Sequence, residues 1–177
     1  MNRQFLIGFL IVVMTTFFYS FLNKGGERIQ VGDRVPTFTL LDQDGNKFLI
    51  EDYIGKTAMV IYFYPKDNTT GCIKEACGFR DNYESFKEIG VKIIGISSDD
   101  VKSHKAFVTK YNLPFTLLAD VDNEVRERFG VPNSLFGVIP GRVSYVIDEN
   151  GVVINIYESL LKPQRHIEES LDVLKNR

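Results

Sequence analysis

The chain has 177 residues and a formal net charge of −2, with 44% hydrophobic and 25% charged residues. This balance suits one domain with a sizeable core and argues against a nucleic-acid surface, which would need a basic patch. Only two cysteines are present, which excludes a disulfide-rich secreted scaffold.

The N-terminal stretch from Phe5 to Leu22 carries no charge and is bounded by Arg3 and Lys24. Its length is close to the lower limit for a membrane-spanning helix. We therefore predict an N-terminal hydrophobic helix, with residues 1–26 as a membrane anchor or signal segment with linker and residues 27–177 as the folded domain. The folded domain is expected on the extracytoplasmic or lumenal side. The alternative is a cleaved signal peptide, which would give a secreted, periplasmic or lumenal protein, although no good cleavage site follows the stretch.

After a polar linker over residues 23–33, strand and helix patterns alternate. The continuous apolar run Thr57–Tyr64 is typical of a central strand that is covered on both faces. The other predicted elements are a hairpin of Val35–Leu41 and Lys47–Ile50, a helix over Cys72–Ile89, a strand over Val91–Ser97, a helix from a cap at Asp99 or Asp100 to Tyr111, a strand over Phe115–Ala119, a short helix over Asn123–Phe129, a hairpin of Val143–Ile147 and Val152–Tyr157, and a helix over Pro163–Lys175. This order predicts an α/β fold with a mixed central sheet flanked by helices.

The two cysteines, Cys72 and Cys77, follow a loop that leads from the Thr57–Tyr64 strand into a helix. A thiol at the start of a helix faces unpaired backbone N–H groups and the positive end of the helix dipole. Both favour the thiolate, which is the reactive form of cysteine. Functional sites of open α/β sheets lie beyond the carboxyl ends of strands, which is where Cys72 stands. The sequence therefore predicts thiol redox chemistry at Cys72.

Several residues near Cys72 fit the cleavage of a peroxide bond, which requires stabilisation of the charge on the leaving oxygen. The hydroxyl of Thr69 can donate and accept a hydrogen bond, and Pro65 can shield the pocket from water. Arg142, just before a predicted strand, is the first candidate for a cation, and Arg80 is the second. Pro65 alone could be a strand terminator and Thr69 alone a helix cap, but Pro-x-x-x-Thr-x-x-Cys directly after a buried strand is a specific pattern.

The segments Phe63–Cys72 and Lys74–Asp81 resemble the active-site region of peroxiredoxins of the Q type, also called bacterioferritin comigratory proteins. The resemblance covers nearly all of residues 30–177. It continues in Gly95–Ser97, Ser103–Phe107, Leu113–Asp120 and Leu135–Arg142, the last of which is especially like plant and cyanobacterial members. Thr70 departs from the family, which usually has proline there, and we expect this to alter the rigidity of the loop rather than the activity.

The resemblance implies a thioredoxin-like fold and a thiol-dependent peroxidase that reduces hydrogen peroxide and organic hydroperoxides. It implies that Cys72 is the peroxidatic cysteine, that Cys77 is the resolving cysteine, and that Pro65, Thr69 and Arg142 complete the active site. Cys72 would become a sulfenic acid and Cys77 would condense with it to an intramolecular disulfide. Thioredoxin or a similar dithiol would then reduce the disulfide. We expect a monomer without a cofactor.

The spacing of the two cysteines predicts a conformational change. On an intact helix, Cα atoms five residues apart are separated by about 8–9 Å, whereas a disulfide tolerates no more than about 7 Å. The helix must therefore unwind over about Thr70 to Phe79 in each cycle.

Two other functions remain open from the sequence. A membrane-tethered thiol–disulfide oxidoreductase would carry Cys-x-x-Cys, usually after Trp, but this chain has four residues between its cysteines and no Trp. A non-catalytic binding or chaperone module is the second alternative, because fold alone does not fix function. The cysteine and histidine spacing predicts no metal site. His104 is expected on the surface of a helix, and His166 exposed or lightly packed on the last helix.

Overall fold

A computed structural model describes residues 28–134 and 137–176 of the chain. The strands, in chain order, are β1 (Thr39–Asp42), β2 (Lys47–Leu49), β3 (Ala58–Phe63), β4 (Val91–Ser97), β5 (Thr116–Ala119), β6 (Asn133–Ser134), β7 (Ile139–Pro140), β8 (Val143–Ile147) and β9 (Val153–Glu158). Seven of them form one mixed sheet in the order β2-β1-β5-β4-β3-β8-β9, and β6 pairs with β7. The pairs β3–β4 and β4–β5 are parallel, whereas the outer pairs are antiparallel.

The helices, in chain order, are α1 (Thr70–Asp81), α2 (Tyr83–Glu88), α3 (Val101–Tyr111), α4 (Glu124–Arg128) and α5 (Pro163–Lys175), with a 3₁₀ turn at Ile50–Asp52. Asp100 caps α3 by accepting a hydrogen bond from the Ser103 N–H at 2.7 Å. The start of α5 has proline in its first turn, a position that suits proline because no backbone donor is lost there.

Apolar side chains cover both faces of the sheet, and all six residues of β3, an interior strand between β4 and β8, are buried. Side chains of a strand point alternately to opposite faces. Met59, Ile61 and Phe63 therefore pack in the cluster that contains residues of the β1–β2 hairpin and of α4. Val60 and Tyr62 pack in the opposite cluster, which contains residues of α1, α3 and α5.

The predicted strands and hairpins are confirmed to within a few residues, but the predicted helix Cys72–Ile89 is wrong as a single element. It begins two residues earlier, at Thr70, and it is divided into α1 and α2 at Asn82. The side-chain amide of Asn82 donates to the Gly78 carbonyl at 2.9 Å and so competes with the backbone for that acceptor.

The described part of the predicted linker, residues 28–33, packs partly on the domain. Ile29 is buried, and its backbone N–H donates to the Phe129 carbonyl at 3.3 Å. The N-terminal hydrophobic helix predicted over Phe5–Leu22 lies outside the described residues. The predicted domain boundary between residues 26 and 27 stays a prediction.

The sheet register brings two distant segments of the chain together. Phe63, the last residue of β3, pairs with Val143, the first residue of the antiparallel strand β8. Arg142 therefore lies beside the point at which the chain leaves β3 for the loop and α1. This register explains how a residue seventy positions after Cys72 reaches the start of α1.

Candidate active site

Cys72 lies in the first turn of α1, and its side chain is buried, with 1% of its surface exposed. Thr69 is the residue before the helix and has an extended backbone, so Cys72 is the third residue of the helix proper. The first four N–H groups of a helix have no partner within it. Cys72 therefore lies where the helix presents unpaired donors. Cys77 is half-buried on the same continuous helix, and both thiols are free.

Arg142 is the cation that contacts Cys72. Its Nη2 atom lies 3.3 Å from the Cys72 Sγ atom, and only 2% of its surface is exposed. A Cβ atom at Gly71 would lie 3.1 Å from the same Nη2 atom, so glycine leaves room for this close approach. Arg80, the second candidate, instead donates to the Tyr111 carbonyl at 2.8 Å. The structure thus brings Arg142, and not Arg80, to the thiol.

Glu75 is the second buried partner of Arg142. It lies three residues after Cys72 on α1, is fully buried, and accepts a hydrogen bond from Arg142 Nη1 through Oε2. Burial raises the pKa of Glu75 to about 8, although the charge and hydrogen bond of Arg142 oppose this rise. Burial alone would lower the pKa of Arg142, but Glu75 and Cys72 bring it above its ordinary value. Arg142 is therefore held as a cation between two acidic groups.

The loop between β3 and α1 carries the other two predicted site residues. Pro65 is half-buried and follows the buried Tyr64. Thr69 is exposed, and its hydroxyl donates to the Lys66 carbonyl at 3.3 Å. In this geometry the Thr69 hydroxyl bonds to its own loop, and its acceptor capacity remains for a bound substrate.

A buried carboxylate anchors the same loop. Asp67 accepts hydrogen bonds from the Tyr64 hydroxyl and the Ser103 hydroxyl, both at 2.8 Å, and lies 2.9 Å from His104 Nδ1. Its backbone N–H donates to an Asp99 carboxylate oxygen at 2.8 Å. These contacts join the loop to α3 and to the end of β4.

His104 is therefore not the surface residue that the sequence analysis predicted. Its side chain is fully buried, and its Nε2 atom lies 3.1 Å from the Leu118 carbonyl. The prediction was wrong because α3 turns this residue towards the sheet, where Asp67 and Leu118 provide polar partners.

Replacing Asp67 with asparagine is expected to lower the free energy of unfolding at neutral pH by about 1–3 kcal/mol, because a buried hydrogen-bonded charge is lost. Burial alone would raise the pKa of Asp67, but hydrogen bonds from His104, Tyr64 and Ser103 and the attraction of His104 bring it below 3.8. A carboxyl whose pKa is lower in the folded protein stabilises it above the unfolded pKa, and this contribution disappears as the pH falls through the folded pKa. Urea unfolding should therefore show the two proteins converging below about pH 4.

The matched control for this substitution is Asp52→Asn, since Asp52 is exposed. This substitution should leave the urea unfolding curve close to that of the wild type, both at neutral pH and below about pH 4. An Asp67→Asn protein that is as stable as the wild type at neutral pH would show that the anchor contributes nothing to stability.

His166 is also buried, contrary to the prediction of an exposed or lightly packed residue. Its Nε2 atom lies 2.9 Å from the Ser159 carbonyl, and its Nδ1 atom lies 2.8 Å from the Ser144 hydroxyl and 3.5 Å from Glu75 Oε1. Burial lowers the pKa of His166 to about 4, the backbone of Ser159 opposes this, and the Arg142 charge lowers it further. His166 is therefore neutral at physiological pH and lies beside the Glu75 carboxyl.

Sequence reasoning missed Glu75, Asp67 and His166. Glu75 could have been found, because a residue three positions after Cys72 shares its face of the helix. His166 is brought in by the packing of α5 against α1 and β8, for which the sequence carries no local signal. Within the described ranges, no group of three or more His, Cys, Asp or Glu side chains is placed to hold a metal ion.

Comparison with known proteins identifies the family. The model of the AhpC/TSA family matches residues 31–156. Peroxiredoxin Q, chloroplastic, from Populus jackii is 50% identical over 149 residues, which cover 84% of this chain and 70% of that protein. The chain belongs to the peroxiredoxin Q family. The resemblance stated from the sequence is confirmed, and the protein is a thiol-dependent peroxidase.

Solved structures of peroxiredoxins share the fold. Peroxidoxin BcpB from Mycobacterium tuberculosis superposes with a TM-score of 0.78 at 32% identity, covering 84% of this chain and 98% of that chain. The bacterioferritin comigratory protein of Xanthomonas campestris superposes with a TM-score of 0.71 at 30% identity, covering 78% of this chain and 90% of that chain. That structure is described in terms of alkyl peroxide reduction activity. The thioredoxin-like fold with a mixed central sheet is thus confirmed. Neither comparison supports the alternative of a membrane-tethered thiol–disulfide oxidoreductase.

The predicted localisation of this peroxiredoxin, anchored in a membrane with its catalytic domain on the extracytoplasmic or lumenal side, is wrong. The relative from Populus jackii is named a chloroplastic protein. Across residues 28–134 and 137–176, moreover, no helix has the length and apolar character needed to cross a membrane. The prediction was based on the apolar stretch over residues 5–22, which lies outside the described residues, and the membrane contact predicted through it has no support.

Proposed function

We propose that Cys72 is the peroxidatic cysteine of this peroxidase. The thiolate of Cys72 attacks one peroxide oxygen, the O–O bond breaks, and the sulfur becomes a sulfenic acid while water or an alcohol leaves. The observation that carries this proposal is the 3.3 Å contact between Arg142 Nη2 and the Cys72 Sγ atom in the first turn of α1. A fixed cation and the unpaired N–H groups of the helix both favour the thiolate.

We further propose roles for the residues around the thiol. Arg142 stabilises the thiolate and the charge that develops on the leaving oxygen, because a buried and fixed cation needs no reorganisation during the reaction. Thr69 orients the peroxide through its hydroxyl, and Pro65 excludes water from one side of the pocket without adding a donor.

Cys77 is proposed as the resolving cysteine, which condenses with the sulfenic acid and releases water. Both residues lie on the continuous helix α1, on which Cα atoms five residues apart are about 8–9 Å from each other. This exceeds the limit of about 7 Å for a disulfide. Formation of the disulfide therefore requires the start of α1 to unwind.

Oxidation to the disulfide is expected to accelerate amide hydrogen exchange over about Thr70 to Phe79, because the helical hydrogen bonds of this segment open. The measurement is hydrogen exchange by mass spectrometry on the reduced and the peroxide-treated protein. Strand β4 provides an internal reference that should exchange equally slowly in both states. Equal protection of α1 in the reduced and disulfide forms would contradict the proposed unwinding.

The proposed substrates are hydrogen peroxide and organic hydroperoxides, and the proposed reductant is thioredoxin or a similar dithiol. The Xanthomonas campestris structure, described in terms of alkyl peroxide reduction, supports the second class of substrate. We propose a monomer that works in a plastid, in line with the name of the Populus jackii relative.

The test of this function is peroxide consumption by the full chain, with thioredoxin and its reductase as the electron source. Hydrogen peroxide and an organic hydroperoxide are compared at equal concentrations. Turnover with both substrates that depends on thioredoxin supports the proposal. Reduction of a protein disulfide without any peroxide consumption would instead favour a thiol–disulfide oxidoreductase.

A further inference from the structure

Three ionisable side chains meet in a buried site at the start of α1. Cys72, Arg142 and Glu75 are 1%, 2% and 0% exposed, and Arg142 bonds to both of the others. If both acidic groups are ionised, two negative charges share one positive charge. Burial of an unbalanced charge is costly, so such a cluster favours the state in which one proton is retained.

The hydrogen-bond pattern shows where that proton fits. Oε2 of Glu75 bonds to Arg142, whereas Oε1 is buried and has no hydrogen-bond partner in the described part of the chain. His166 Nδ1 lies 3.5 Å from Oε1. His166 Nε2 faces the Ser159 carbonyl, which can only accept, so the ring proton belongs on Nε2 and Nδ1 carries a lone pair. That lone pair accepts a hydrogen bond from the Ser144 hydroxyl at 2.8 Å, so no donor of the described residues faces Oε1. An ionised carboxylate would leave Oε1 buried without a donor, and a proton on Oε1 reduces this cost.

We propose that Glu75 holds, on Oε1, the proton that Cys72 has lost, so that the Cys72–Arg142–Glu75 cluster is neutral in the reduced protein. This inference depends on the proposed role of Cys72 as a thiolate. One proton is then held between Glu75 and Cys72, on the glutamate rather than on the sulfur.

The groups that face Glu75 agree with this placement of the proton. Burial raises the pKa of Glu75 to about 8, against the charge of Arg142, whereas burial lowers the pKa of His166 to about 4. Tyr62, on β3, completes the surroundings. Its hydroxyl is buried and has no partner among the described residues, and its pKa is raised well above the ordinary value, first by burial and then by the charge of Glu75. His166 and Tyr62 are thus both neutral neighbours.

A proton on Glu75 sets the proton balance of the peroxide step. The Cys72 thiolate takes one oxygen atom and is oxidised by two electrons, and the O–O bond of ROOH is reduced to give RO⁻, which must gain a proton. Once the thiolate charge is lost, Glu75 is the remaining anionic partner for Arg142, so it ionises and releases its proton to solvent. Thiolate, ROOH and the Glu75 carboxylic acid thus give sulfenic acid, ROH and the Glu75 carboxylate, with no net proton uptake.

The experiment is infrared spectroscopy of the reduced full chain at neutral pH. The wild type is compared with Glu75→Gln, with Cys72→Ser, and with Glu84→Gln as a matched control, since Glu84 is exposed on α2. The expected result is a carbonyl band of a protonated carboxylic acid in the wild type and in Glu84→Gln. The band should be lost in Glu75→Gln and also in Cys72→Ser, because the neutral serine leaves Glu75 as the only anion beside Arg142.

Labelling of the wild type with ¹³C-glutamate should shift the band, which assigns it to a glutamate without any substitution that could impair folding. Absence of the band from the reduced wild type would overturn the proposal, and so would a band that persists in Cys72→Ser. Peroxide consumption by the same wild-type sample distinguishes failure of the shared-proton proposal from failure of the proposed function. An active protein without the band contradicts only the shared proton, whereas an inactive protein contradicts the proposed function.

Discussion

Replacing Cys72 with serine is expected to abolish peroxide consumption, with a fall in kcat/KM on the order of 10³-fold or more, because the attacking nucleophile is removed. A serine hydroxyl remains protonated beside Arg142 and cannot accept oxygen to form a sulfenic acid. The measurement is the rate of peroxide loss with thioredoxin as the electron donor. Unfolding in urea, measured in parallel, shows whether the variant keeps the stability of the wild type.

The matched variant is Cys77→Ser, which removes the other cysteine of the same helix. We expect it to consume one equivalent of peroxide and to leave a sulfenic acid at Cys72 that a dimedone probe traps. Sustained turnover in Cys72→Ser, together with loss of the first equivalent in Cys77→Ser, would reverse the two proposed roles.

Replacing Arg142 with methionine is expected to lower kcat/KM by about 10²–10³-fold, the usual effect of removing one preorganised donor from a transition state. Methionine keeps an unbranched apolar stem but has no charge. The substitution also leaves the buried Glu75 carboxyl without its donor, at a cost of about 1–3 kcal/mol in the free energy of unfolding. Single-turnover oxidation followed at several peroxide concentrations separates the chemical step from the later reduction.

Two variants serve as controls for this prediction. Arg142→Lys keeps the charge but not the planar fork that reaches Glu75 and Cys72 together, so we expect a rate between those of the wild type and Arg142→Met. Arg80→Met removes an arginine of α1 that bonds to the Tyr111 carbonyl, and it should leave the peroxide step nearly unchanged. A larger fall in kcat/KM in Arg80→Met than in Arg142→Met would contradict the proposed role of Arg142.

The order of strands and helices could be predicted because each element carries its own local pattern. The continuous apolar run that became β3 and the hairpin predicted over β1 and β2 depend on residues close in sequence. The break at Asn82 was missed because it depends on a side-chain hydrogen bond rather than on periodicity.

The candidate site could be predicted only in part for a related reason. Pro65, Thr69 and Cys72 lie in one short segment, so their pattern was visible. Arg142 was the first candidate for the cation, and the family resemblance implied the same residue. Glu75 shares a helix face with Cys72 and could have been found, but His166 could not. The burial of these two residues and their contact with each other depend on how α5 packs against α1 and β8.

The most direct test of the account is the ultraviolet absorbance of the thiolate in the reduced protein at neutral pH. We expect the absorbance of one thiolate per chain in the wild type and in Cys77→Ser, and the loss of this absorbance in both Cys72→Ser and Arg142→Met. Equal absorbance in the wild type and Cys72→Ser would show that Cys72 is not ionised beside Arg142, which would contradict the account.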